Sequence, residues 1–247
     1  NPLLELLARE KHFLKAVTEN PADVCVIYNS WGTHLARKYL KKKGTPIVFD
    51  YIDLMHAFRK NLVESFAAKK STLSAFNDSR MVITTAHKIL DFAKKHHDHA
   101  RLIPNGVDLK FFSNVKPLKL KHPCVGFVGG FGDWVDFDKL MQVAKKMPEV
   151  TFYCIGDGVG KRVIEKHGLP NVVVSDGFVP QSTARRYMAS FDVCVIPFKI
   201  NDLTAAVCPL KLFEYFALKK PVIVSPTYEL KRLLTSEALF AENVQEW

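Results

Sequence analysis

No stretch of this sequence approaches the ~20 consecutive apolar residues that a membrane-spanning helix needs, which excludes a helical span in this chain. No pair of its five cysteines has C-x-x-C spacing, so neither a thioredoxin-type redox motif nor a zinc ribbon is written here. There is no H-E-x-x-H, no G-x-S-x-G, no P-loop and no G-x-G-x-x-G at dinucleotide spacing. These absences remove the common metalloprotease, serine hydrolase, NTPase and nicotinamide readings. Neither an aromatic ribonucleoprotein pattern nor a zinc finger supports nucleic acid as a partner. The start, Asn1-Pro2-Leu3-Leu4-Glu5, lacks a basic-then-apolar signal pattern and a Met, so the natural start is expected upstream.

What is there is ordinary for a globular chain: 247 residues, 48% apolar and 24% charged, enough for one large domain or two small ones. The net charge of +10 is uneven, about +7 over 1–115 and +3 over 116–247. Much of the excess is the run Arg37, Lys38, Lys41, Lys42, Lys43 at the end of an expected helix, where the macrodipole favours cations. A basic binding patch for phosphorylated ligands or an anionic membrane surface is the alternative. Cys25, Cys124, Cys154 and Cys194 lie inside the apolar runs DVCVIY, PCVGFVG, FYCIG and DVCVIP, and Cys208 follows AAV. That is small-hydrophobe usage of reduced cysteine, and it predicts a cytoplasmic protein.

Short apolar runs alternate with longer amphipathic stretches. Strands are predicted at 23–28, 46–51, 81–85, 101–104, 123–129, 151–156, 172–175, 193–198 and 221–225. Helices are predicted at 2–18, 32–43, 57–76, 86–97, 136–147, 159–167, 181–190, 209–219 and 227–235. Alternation of this kind, with strands apolar on both faces, predicts an α/β chain built on doubly wound parallel sheets. Residues 113–123, SNVKPLKLKHP, break the rhythm with two prolines and three lysines and read as a linker, giving domains at 1–114 and 115–247. Each is short of a full Rossmann-like domain, so an incomplete chain is expected.

Three places could carry chemistry. The helix at 209–219 follows a loop at the carboxyl end of strand 193–198, where open α/β sheets bind ligands. Its first-turn N–H groups suit a diphosphate, with Lys211 adding charge and Glu214 able to accept from ribose hydroxyls; a plain i, i+3 ion pair explains the same two residues equally well. Gly126-Phe127-Val128-Gly129-Gly130-Phe131-Gly132-Asp133-Trp134 takes a strand into a glycine-rich turn that lets a ligand approach backbone. Asp50 and Asp53 close the strand at 46–51, where one could act as a general base or Asp53 could merely cap the next helix. The run His96-His97-Asp98-His99 fits no zinc template and reads as a solvated loop.

Four segments resemble, in order and spacing, the retaining GT-B glycosyltransferases of glycosyltransferase family 4. Arg101-Leu102-Ile103-Pro104-Asn105-Gly106-Val107-Asp108 resembles the interdomain signature. PCVGFVGGFGDWVDFDKL looks like the first strand, loop and helix of the donor domain. VSDGFVPQSTARRYMASFDVCVIPF looks like the base-side loop and next strand, and CPLKLFEYFALKKPVIVS like the donor-site helix. The resemblance implies a GT-B fold of two Rossmann-like domains, the N-terminal one incomplete. It implies a metal-independent, retaining hexosyltransferase using no cofactor. Its donor would be a UDP- or GDP-linked sugar and its acceptor a glycan or lipid-linked molecule, as in polysaccharide biosynthesis. Peripheral contact with the inner face of an anionic membrane is a further expectation.

Carried over by position, Glu214 matches the ribose-binding Glu of the family, while its partner, separated from it by seven residues, falls on Ala206. Pro209, Leu210 and Lys211 would face the diphosphate, Gly177, Phe178 and Val179 the base, and Gly130 and Trp134 the region where the family has Arg and Lys. Thr204, with Asn201 or Asp202, is a candidate contact to the sugar in place of the missing Glu. Asp53, or Asp50, is the candidate base. No metal ligands are implied. The loss at Ala206 and the absent basic residues leave one alternative, a non-catalytic nucleotide- or sugar-binding module on the same scaffold.

Overall fold

The computed structural model describes residues 2–28, 30–54 and 61–247, and the chain divides into two compact units, 1–104 and 105–247. The first unit runs α1 (Pro2–Glu19), β1 (Cys25–Ile27), α2 (His34–Lys43), β2 (Ile47–Tyr51), α3 (Leu62–Asp78), β3 (Met81–Thr84), α4 (His87–Lys94) and β4 (Ala100–Leu102). The second runs α5 (Leu109–Phe112), β5 (Cys124–Val128), α6 (Phe137–Lys146), β6 (Thr151–Ile155), α7 (Lys161–His167), β7 (Val172–Val174), α8 (Gln181–Ser190), β8 (Val193–Ile196), α9 (Leu210–Ala217), β9 (Val222–Val224), α10 (Tyr228–Leu233) and β10 (Leu239–Phe240). Each predicted strand is present, and the pairings between strands are parallel. The start of the helix predicted at 57–76 lies outside the described residues; α3 accounts for the rest.

The two sheets differ in the way that matters for a ligand. In the first unit the order is β1-β2-β3-β4, following the chain. In the second it is β10-β9-β8-β5-β6-β7. The chain lays β6 and β7 on one side of β5, then crosses back to place β8, β9 and β10 on the other. The gap between β5 and β8 is therefore a topological switch point, where helices leave to opposite faces and a crevice opens at the strands' carboxyl ends.

The hydrophobic pattern explains this layering. β6 is buried at all five positions because helices cover both of its faces. α6 buries Phe137, Leu140, Met141, Val143 and Ala144, the stripe expected of a 3.6-residue period, and Asp136 caps it by accepting the Lys139 N–H. Phe131 and Phe137 meet edge-on at 4.9 Å and Phe127 joins them at 5.7 Å, so the residue after the glycine turn is anchored in the core.

The boundary between units lies at Pro104/Asn105, ten residues before the expected 114/115. The reason is packing: Phe112 is buried in the second unit's core, Val107 and Phe111 lean on it, and the Arg185 guanidinium stacks 4.3 Å over the Phe111 ring. The Pro- and Lys-rich segment is thus not a free linker. Ser190 on α8 holds it, its Oγ accepting the Leu118 N–H at 2.7 Å and donating to the Leu118 carbonyl at 3.0 Å.

Candidate donor site

At the switch point three loops are fastened together by their backbones. The loop after β5 donates from Gly129 N–H to the Ile155 carbonyl and from Phe131 N–H to the Asp157 carbonyl, both beyond or at the end of β6. On the other side the Lys199 N–H, after β8, donates to the Trp134 carbonyl at 2.8 Å, and the Asp136 N–H donates to the Pro197 carbonyl at 2.7 Å. The Tyr215 hydroxyl on α9 accepts the Val128 N–H at 3.1 Å, which draws α9 against the glycine turn. Gly130 is exposed at the top of this arrangement with no atom near the position of a side chain.

Gly156 is a position where no other residue fits without moving backbone. Its φ is +152°, and a Cβ there would lie 1.8 Å from the Gly129 carbonyl oxygen and 2.9 Å from the Phe131 ring. A Gly156→Ala change is expected to destabilise the second unit by ~2 kcal/mol or more, because backbone has to move. It also pushes the glycine turn out of place, so denaturant unfolding and nucleotide titration should both respond.

α9 brings the predicted charged pair to the same turn. Pro209 precedes its first residue, no side chain caps that end, and Leu210 is exposed there. Lys211 Nζ lies 2.6 Å from Glu214 Oε2, and Lys211 Cε reaches within 3.8 Å of where a Cβ on Gly129 would sit. Glu214 is buried and Lys211 half-buried, so each is held rather than free in solvent. The lysine thus sits between the carboxylate and the glycine turn.

On the β6–β7 side, Ser175 organises the segment expected to meet a base. Its Oγ accepts the Gly156 N–H at 2.8 Å and lies 2.8 Å from the Gly177 carbonyl, while Lys161 Nζ donates to the Ser175 carbonyl at 3.2 Å. Phe178 stands exposed beyond it and Val179 turns back onto the core. Tyr215, Ser175 and Lys161 escaped the sequence reading. Tyr215 could have been suspected from its place in the F-E-Y turn of α9; a lone serine in VVVSDG carries no signal.

Thr204 has to be corrected. It is fully buried in a short 3-10 turn, its hydroxyl donating to the Lys199 carbonyl and receiving the Asn201 N–H. It shapes the loop after β8 and offers no face to a sugar. Ala206, in the same turn, is buried as well.

In the first unit, Asp50 sits on β2, on the half-buried face opposite Phe49 and Tyr51, and burial raises its pKa. Asp53 lies two residues past the strand's carboxyl end, and burial pushes its pKa up to about 6. Thr85 holds this turn by donating to the Ile52 carbonyl at 2.9 Å. The histidine run behaves as a loop: His97 Nε2 pairs with the Ser79 carbonyl at 3.0 Å, and its Nδ1 takes the His99 N–H at 3.1 Å.

A family model described as "Glycosyl transferases group 1" matches residues 122–247, just over half the chain. The chain belongs to that family. It is 29% identical over 199 residues to TuaH of Bacillus subtilis (strain 168), named for glycosyl transfer in teichuronic acid biosynthesis; the match covers 72% of this chain and 49% of TuaH. In fold it is similar to sucrose-phosphate synthase of Thermosynechococcus elongatus (TM-score 0.75, 16% identity, 95% of this chain and 64% of that one). It is similar too to the Anabaena protein Alr3699/HepE solved with UDP and glucose (TM-score 0.70, 14% identity, 96% and 68%). The fold is the α/β arrangement of GT-B glycosyltransferases. The chain spans about half the length of its sequence relative and about two thirds of these solved chains. Among the described residues no helix is long and apolar enough to cross a membrane.

Proposed function

We propose that this glycosyl transferases group 1 chain moves a hexosyl group from a nucleotide-diphosphate sugar to a glycan or lipid-linked acceptor, with retention and without a metal ion. The observation that carries the proposal is the meeting of the glycine turn, the uncapped start of α9 and the Lys211–Glu214 pair at the β5/β8 switch point. In the reaction the anomeric carbon–phosphate oxygen bond breaks and a bond to the acceptor hydroxyl forms. Negative charge grows on the departing diphosphate. First-turn N–H groups and Lys211 supply positive potential there, the role a divalent ion would otherwise fill. Glu214 accepts from the ribose hydroxyls, Gly177 to Val179 face the base, Gly130 and Trp134 border the phosphates, and Asp53, with Asp50 as the substitute, takes the acceptor proton.

The UDP held by the HepE protein supports a uridine donor over a guanosine one. The name of TuaH supports a cell-envelope polysaccharide as product. Peripheral membrane contact draws support from Leu62, Val63 and Phe66, all strongly exposed on α3 beside Lys69 and Lys70. The buried Ala206, where the family resemblance places a Glu, favours one second reading: nucleotide held without turnover.

Calorimetry with UDP and GDP, followed by assay of nucleotide release from UDP-hexoses, separates these. Selective binding of UDP with sugar transfer or hydrolysis is the expected result. Binding without turnover leaves the second reading. A folded chain that binds neither nucleotide overturns the proposal.

A further inference from the structure

At the opposite end of the second unit's sheet, three potential metal ligands converge. Cys124 is the first residue of β5, His122 lies two residues before it, and Asp192 immediately precedes β8. Cys124 Sγ, His122 Nδ1 and a carboxylate oxygen of Asp192 all lie within 4.8 Å of one another. Sγ to Nδ1 is 3.5 Å and Nδ1 to Asp192 Oδ2 is 2.8 Å. Donors on a tetrahedral zinc-class ion, at bond lengths of ~2.0 to 2.3 Å, stand ~3.3 to 3.6 Å apart. The sulfur–nitrogen distance already matches, and the nitrogen–oxygen distance needs to open by about 0.5 Å.

The surroundings suit an ion as well. Asp192 Oδ2 also accepts the Cys124 N–H at 2.7 Å, which fixes the carboxylate beside the other two donors. Burial and the Asp192 carboxylate keep Cys124 a thiol in the metal-free chain, an effect that Lys220 only partly offsets, so an ion has to displace that proton. His122 and Asp192 are each about half exposed (48%), so an ion can enter and water can complete a fourth position, while Cys124 is buried. We propose that His122, Cys124 and Asp192 bind one zinc-class divalent cation that staples the 113–123 segment to the start of β5 and β8. Binding forms metal–sulfur, metal–nitrogen and metal–oxygen bonds and expels the Cys124 thiol proton, together with the His122 ring proton that Asp192 now accepts when the ring is charged. The role is structural: β5 carries its other end, ~13 Å away, into the donor site.

The test is titration of the full chain with Co²⁺ under a non-thiol reductant, followed by displacement with Zn²⁺. One equivalent should produce the near-ultraviolet thiolate-to-cobalt charge-transfer band with visible bands of four-coordinate cobalt, and Zn²⁺ should bleach both. His122→Ala, a change at a half-exposed side chain, and Cys124→Ser should each weaken Co²⁺ binding at least tenfold, about the least that disturbing a ligand set costs. Cys25→Ser should leave the spectrum intact. Zn²⁺ should raise the melting temperature of the native chain and not that of His122→Ala. No charge-transfer band at one equivalent, or a band that survives His122→Ala, overturns the proposal and leaves only a His122–Asp192 ion pair. Should Cys124→Ser fail to fold, His122→Ala decides alone.

Discussion

Asp53→Asn should make the chain more stable at neutral pH and, on the function proposed above, abolish sugar transfer. The carboxyl is largely removed from solvent, so the fold favours its neutral form and lifts its pKa from 3.8 to about 6. The unfolded chain has the ordinary value. Between pH ~4 and ~6 the folded state therefore holds more protons than the unfolded one, and stability falls as pH rises through that window. Above pH 6 the penalty is fully present. About two pKa units correspond to roughly 3 kcal/mol, and solvent that reaches the site lowers this, so a gain of ~1 to 3 kcal/mol at pH 7 is expected. At pH 3 to 4 the variant and the native chain should unfold alike. Denaturant unfolding at the two pH values measures this, and equal stability at pH 7 would remove the buried-carboxylate argument.

The same burial is what a base needs. A carboxylate of pKa about 6 is ionised at pH 7 yet binds a proton about two orders of magnitude more strongly than a solvated aspartate. Transfer should decline below pH 6, and Asp53→Asn should lower it by ~10²-fold or more. Should Asp50→Asn produce that loss instead, the base lies three residues earlier, on β2. A residue that lowers stability while enabling the reaction is the pattern expected of a functional group, since a purely structural position has no reason to keep a charge where burial opposes it.

How much of this could be read beforehand depended on the distance between partners along the chain. Each of the nine predicted strands has its apolar run in sequence, and the parallel order follows from strand–helix alternation. β10 is only Leu239–Phe240, too short to carry a period, and α5 hides inside Asn105-Gly106-Val107-Asp108-Leu109-Lys110-Phe111-Phe112. The 113–123 segment reads as a linker because prolines and lysines look the same whether loose or held; Ser190, 72 residues from Leu118, does the holding. Lys211 and Glu214 were visible as a pair because helical spacing brings i and i+3 together. Thr204 was misread because burial of a hydroxyl in a turn leaves no trace in composition. Asp192 lies 68 residues from Cys124, so the His122–Cys124–Asp192 group exists only once β5 and β8 pair at the switch point.

The Lys211–Glu214 pair decides between an ordinary helix ion pair and a donor site, and nucleotide fragments separate the two. If Glu214 holds the ribose, Glu214→Ala should weaken uridine by ~1.5 to 3 kcal/mol, the worth of a hydrogen bond to a charged group, or roughly 10- to 150-fold, and UDP by less. Glu214→Gln keeps an acceptor and should lose less. If Lys211 faces the diphosphate, Lys211→Ala should leave uridine almost unchanged and weaken UMP and then UDP progressively, with the loss shrinking as salt rises. A plain i, i+3 pair predicts something else: both substitutions move the melting temperature slightly, by the equivalent of ~0.5 kcal/mol, and no nucleotide responds. The geometry argues against that outcome. Exposed helix pairs are cheap to break because water replaces the partner, whereas Glu214 is buried and Lys211 is wedged against Gly129. Removing the carboxylate therefore strands a half-buried cation beside the phosphate turn, so Glu214→Ala should sharpen the attraction for inorganic diphosphate even while it weakens uridine. Opposite signs for those two ligands, measured on one variant by calorimetry, are a result that neither general unfolding nor a simple loss of stability can produce.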